Sequence, residues 1–152
     1  MPDPYRALRI AAGIYAFGLV LHTFDHLRRG LDASPVAVLW AGNLSTLLGV
    51  AAIILVLAGH RWAPAFAAIT GIPVAIGVAA VHLLPPWGAL SESFLDGGNG
   101  INAMSWIVVV IEIAGAIAMG VAGLVALRDQ GLGNQADVGT ERRSSTGRIK
   151  ST

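Results

Sequence analysis

The sequence predicts an all-α polytopic membrane protein, a four-helix transmembrane bundle followed by a disordered C-terminal tail. Three observations carry that prediction. The chain of 152 residues is 55% hydrophobic and only 12% charged, whereas soluble domains are about 25% charged. Its charges are unevenly spread, because from Val36 to Leu127 it holds only Arg61, Glu92, Asp96 and Glu112. Its apolar runs are also long enough to cross a bilayer, which takes about 20 residues for a hydrocarbon core of about 30 Å.

The first span is expected over 7–27. Only Ile10–Phe24 is free of charge, and that stretch alone is too short to cross. The helix must therefore include Arg9, snorkelling to the near interface, and Asp25 and His26 at the far edge. A cleavable signal peptide fits this run poorly, since Arg28-Arg29 follows the apolar stretch and no small-residue cleavage motif stands before Ser34. The second span, 36–59, starts behind Ser34-Pro35, a capping serine followed by a proline at the first helical position. The third, 62–84, opens on Ala63-Pro64, carries Pro73 as an expected kink and stops at Pro85-Pro86. The fourth, 101–127, follows the turn signal Asp96-Gly97-Gly98-Asn99-Gly100 and contains one carboxylate, Glu112. Lipid offers no partner to free backbone groups, and no alternating barrel strands are present, so the spans are helices.

Residues 1–127 thus form one transmembrane domain. Residues 128–152 change to polar and charged composition with nothing to bury, and are expected as a disordered cytoplasmic tail. Arg6, Arg9, Arg61 and Arg128 fall on one side of the spans and Arg28 and Arg29 on the other. The positive-inside rule then puts both termini in the cytoplasm. Nine arginines to one lysine, with abundant Ala, Gly and Val, read as a GC-rich bacterial coding sequence and hence a bacterial cell membrane.

Absence of cysteine excludes disulfides, thiolate metal sites and a cysteine nucleophile. A net charge of +1 gives no basic surface for nucleic acid. No catalytic residue is assigned, and an enzyme is not the leading expectation.

Chemistry concentrates in His22-Thr23-Phe24-Asp25-His26. Histidines at i and i+4 share a helical face, with Asp25 in the same arc. That spacing lets one helix offer two imidazoles to a metal, with the carboxylate as a third ligand or as the acceptor that orients a ring. Helices one and three run in the same direction, so His82 arrives in the same leaflet. The expected metal ligands are therefore His22, His26, His82 and Asp25. Imidazole and carboxylate suit zinc, copper or iron, including haem iron held by two axial histidines. Ring separations within roughly 7 Å are expected for one such site, and binding should weaken as pH falls through about 6.5. Plain interhelical hydrogen bonding and a proton relay are the alternatives.

Glu112 is the buried protonatable residue. It shares a stripe with Ala116 and Gly120, the small-residue face through which helices approach closely. Its readings are a relay or ion ligand, or a neutral acid bonded to Asn43, Ser45, Thr46 or Thr70. In the outer loop, Trp87, Leu90, Phe94 and Leu95 have the spacing of a short interfacial helix over the histidines. The expected function is a small integral membrane protein holding a transition metal or haem. The alternative is a structural or accessory subunit, partnered by another membrane protein or by its own copies in the lipid bilayer.

Overall fold

The computed structural model describes the backbone of residues 4–148 and the side chains of residues 5–131, residue 31 excepted. Four α-helices account for most of the described residues: α1 (Pro4–Arg29), α2 (Val36–Leu57), α3 (Ala63–Leu83) and α4 (Ala103–Arg148). No strand occurs among the described residues. All four are long and apolar enough to cross a membrane, α4 over Ala103–Gly131. The expected tail falls largely on residues outside the side-chain description.

Large apolar side chains cover the outside of the bundle, among them Ile10, Phe17, Trp40, Leu47, Ile76 and Ile107. An apolar surface of this extent would be insoluble in water and is what a lipid-facing bundle requires. The chain is a multi-pass membrane protein by these properties.

Helix ends follow the local chemistry, with one difference. α3 begins with Pro64 in its first turn and runs as one helix through Pro73. α2 starts at Val36 with Pro35 at the cap position and no side-chain cap bond. The Ser34 hydroxyl is not a cap because it lies 3.1 Å from His26 Nδ1 instead.

α4 is the hub, packed along α1 on one flank and α3 on the other, while α2 sits at the periphery against α1 and α3. Glycines make these seams. A Cβ on Gly18 would stand 2.7 Å from the Glu112 Cα, and one on Gly115 would stand 2.7 Å from the Tyr15 Cα, so α1 and α4 meet backbone to backbone. Between α3 and α4 a Cβ on Gly71 would meet the Ala116 carbonyl oxygen at 2.5 Å, and one on Gly123 would meet the Pro64 carbonyl oxygen at 2.6 Å. In lipid, where apolar burial does not drive association, such close approach is a main source of attraction between helices. Ala116, fully buried, and Gly120 lie on this seam, so the stripe that carries Glu112 faces protein.

The α3–α4 loop differs from the expected interfacial helix. Only Phe94–Asp96 forms a 3₁₀ turn, closed by Gly97 in the left-handed conformation. Glu92, Ser93 and Phe94 are buried, whereas Trp87, Leu90 and Leu95 are exposed. The reason is electrostatic: Glu92 turns inward to meet Arg29, and this pairing overrides the apolar periodicity of a short segment broken by Pro86 and Gly88.

Candidate metal centre

The C-terminal ends of α1 and α3 and the first turns of α4 converge at one end of the bundle. At the other end Gln130 donates to the Tyr5 hydroxyl, which ties the start of α1 to the far part of α4. At the convergent end His22, His26 and His82 form one cluster. The ring centroids of His22 and His26 are 4.8 Å apart, those of His22 and His82 5.0 Å, and those of His26 and His82 5.7 Å. Each residue offers a ligand nitrogen, and these nitrogens all lie within 4.8 Å of one another. His22 and His82 are buried and His26 is half-buried. The fourth histidine, His60, is exposed in the α2–α3 turn, where its Nδ1 accepts from the Trp62 amide.

Glycine packing sets the first contact of this site. Gly18 lies one turn before His22, and its missing side chain lets α1 close on α4 at Glu112. His22 Nδ1 consequently bonds the Glu112 carboxylate, and both groups are buried. Glu112 thus bonds an imidazole rather than Asn43, Ser45, Thr46 or Thr70, the partners expected for a neutral acid.

The ring orientations follow from the acceptors. The Glu92 carbonyl can only accept, so His82 carries its proton on Nδ1 and donates it across 3.2 Å. His22 Nδ1 is bonded to the Glu112 carboxyl group. A ring that donates from Nδ1 leaves Nε2 with a free lone pair, the arrangement in which protein ligands present imidazole to a metal. His22 Nε2 is buried and has no hydrogen-bond partner. His26 Nδ1 stands 3.1 Å from both the Ser34 hydroxyl and Arg29 Nη2. A guanidinium can only donate, so Nδ1 accepts from Arg29 and the His26 proton sits on Nε2. His26 would ligate through Nε2 only after giving up the Arg29 contact and donating from Nδ1 to Ser34.

Asp25 corrects the expected ligand set. Its carboxylate accepts from Arg28 at 2.8 Å and from Arg29 Nε at 3.0 Å, so both oxygens are taken by guanidinium groups rather than by an imidazole. Arg29 continues to Glu92, and Arg28 reaches the Gly100 carbonyl at 3.0 Å and the Ser105 hydroxyl at 3.2 Å. Asp25 therefore bolts the end of α1 to the loop and to α4. Two carboxylates match two arginines in this network. Glu112 is left as the carboxylate facing the histidines without an arginine.

Glu92 and Ser34 escaped the sequence reading. Asp25 and Asp32 both stand beside the arginine pair in sequence, so nothing there singles out Glu92 as its second partner.

Asp25→Ala should cost the bundle about 3 kcal/mol or more, because it leaves the fully buried Arg29 side chain with one carboxylate instead of two. Thermal unfolding in detergent measures this, and a melting temperature equal to wild type would contradict the bolt. Compared with family models, with curated proteins and with solved structures, the chain finds no match.

Proposed function

We propose that this membrane protein holds one transition-metal ion at His22, His26 and His82, in the leaflet that the arginine asymmetry assigns to the outer face. The observation that carries the reading is the convergence of three imidazoles from two helices, with the buried His22 Nε2 lacking any partner. A tetrahedral ion with bonds of about 2.0–2.1 Å needs its nitrogens roughly 3.3 Å apart. Small rotations of the rings close that gap. Glu112 compensates part of the cation's charge through His22, and the absence of sulfur favours zinc, copper(II) or iron over a thiolate site.

An ion fits this arrangement better than haem. Haem needs two imidazoles facing each other across a slot as broad as the porphyrin. Here the rings lie against one another, and Phe94 packs at a tilt against His82 with centroids 4.6 Å apart. Elemental analysis and an absorption spectrum of the detergent-purified protein test both statements. One transition metal per chain without a Soret band supports the ion, a Soret band supports haem, and neither signal after loading with zinc or copper rejects the site.

Glu112→Gln should fold normally, since an amide still bonds the imidazole, yet weaken metal affinity by about 10–100-fold through loss of the orienting charge. An unchanged affinity in competition with a chelator would remove Glu112 from the site.

The accessory-subunit reading has one observation in its favour. Asn43 lies on the exposed side of α2, within the span, where its amide has no hydrogen-bond partner in the described structure. Such a group in lipid seeks an amide or hydroxyl on another membrane helix. An amide complements itself, so a second copy of α2 is the simplest partner.

A further inference from the structure

The two ends of the bundle treat their arginines in opposite ways. Every arginine–carboxylate pair among the described residues belongs to Arg28 or Arg29, at the histidine end. At the other end Arg6, Arg9, Arg61 and Arg128 are all exposed, and Asp129, the one carboxylate described there, pairs with none of them. Two of these cations border one turn. The Arg9 guanidinium lies against Gly59, where an added Cβ would stand 3.6 Å from Nη2. Arg61, two residues further on, holds its guanidinium over the Trp62 ring at 5.4 Å from the centroid. Trp62 is exposed at the start of α3, as an interfacial belt residue is, so this turn lies at headgroup depth.

Arg6 stands one helical turn before Arg9 on the same face of α1, so a third positive charge adds to the same field. Cations grouped without an acid repel one another and attract an anion. Gly13 follows Arg9 by one turn into the membrane on that face, and an added Cβ there would meet nothing within 4 Å. Ile10 and Leu57, both exposed, continue the apolar surface beside this gap. A phosphate between Arg9 and Arg61 therefore has apolar room directly beneath it. We infer that this corner is a seat for an anionic phospholipid. Arg9 and Arg61 hold its phosphate at the α2–α3 turn, and one acyl chain runs into the membrane past Gly13. Guanidinium groups match phosphate oxygens with paired N–H donors. The net negative headgroup balances the arginines, whereas the cationic group of a zwitterionic lipid is repelled by them. The seat lies at the end of the bundle opposite the histidines and does not depend on a bound metal.

Native mass spectrometry of the full-length protein, released from micelles that hold equal amounts of phosphatidylglycerol and phosphatidylcholine, counts the lipid retained. Wild type should keep phosphatidylglycerol in clear preference. Arg9→Gln and Arg61→Gln should each lower that retention about 5-fold, the worth of one arginine at a charged membrane surface. Gly13→Leu should lower it too, because it fills the open space without touching a neighbour. Arg128→Gln, outside the seat on α4, should retain lipid as wild type does. All four positions are exposed, so the variants should assemble normally. Equal retention of the two lipids, or a loss in Arg128→Gln as large as in Arg9→Gln, would mean a diffuse positive field and overturn the seat. Wild-type retention in Gly13→Leu, or displacement of the lipid by inorganic phosphate, would mean a free-anion site and overturn it as well.

Discussion

His82→Ala is expected to lose metal binding while the bundle stays assembled. His82 is the one imidazole brought by α3, and it ends that helix one residue before Leu83. Without it, the candidate ligands reduce to two histidines on successive turns of α1, too few to hold an ion against water. The loss should exceed the roughly 10–100-fold typical of removing a group that only orients a ligand. Assembly should survive, because the apolar core around Tyr15, Val56, Ala67, Ala116 and Met119 and the glycine seams do not include His82. His60→Ala is the matched control, an exposed histidine remote from the cluster, and should bind as wild type does. Equal metal content in the His82→Ala and His60→Ala proteins would contradict the three-histidine site.

Gly120→Leu should prevent stable assembly. A Cβ at this position would lie 2.6 Å from Ile72 Cγ1 and 3.0 Å from the Ile72 backbone nitrogen, before any further leucine atoms are added. A side chain could move aside, but a helix backbone cannot yield without separating α3 from α4 along their length. Overpacking costs about 1–3 kcal/mol even where side chains can adjust, and this site should exceed that range. Gly77 lies in α3 with nothing within 4 Å of its would-be Cβ, so Gly77→Leu should be tolerated. Thermal inactivation in mild detergent would read both. A Gly120→Leu protein as stable as Gly77→Leu would refute close helix approach as the basis of assembly.

Much of the fold is legible in the sequence because the bilayer imposes simple requirements. Length, charge exclusion and proline or glycine punctuation are enough to bound α2 and α3 within two residues of their observed ends. The histidine cluster is legible for a related reason. Spacing within α1 places His22 and His26 on one face, and the parallel direction of α1 and α3 brings His82 to their depth. What is not legible is the choice of partner. Asp25 sits next to His26 in sequence but is drawn to Arg28 and Arg29, because two guanidinium groups compete better for a carboxylate than a neutral imidazole does. Glu112, 90 residues from His22 in sequence, becomes the imidazole's partner only because Gly18 lets the helices touch. The Phe94 loop misleads for the same reason. Its apolar spacing is compatible with an interfacial helix, while the burial of Glu92 depends on an arginine from a distant part of the chain.

X-ray absorption at the metal K-edge of the zinc-loaded protein tests the central claim most directly. Three imidazole nitrogens at about 2.0–2.1 Å, with the outer-shell scattering of histidine rings, are expected. His82→Ala should lower the imidazole count or fail to retain zinc. A spectrum of oxygen ligands alone, unchanged in His82→Ala, would contradict a metal centre at His22, His26 and His82.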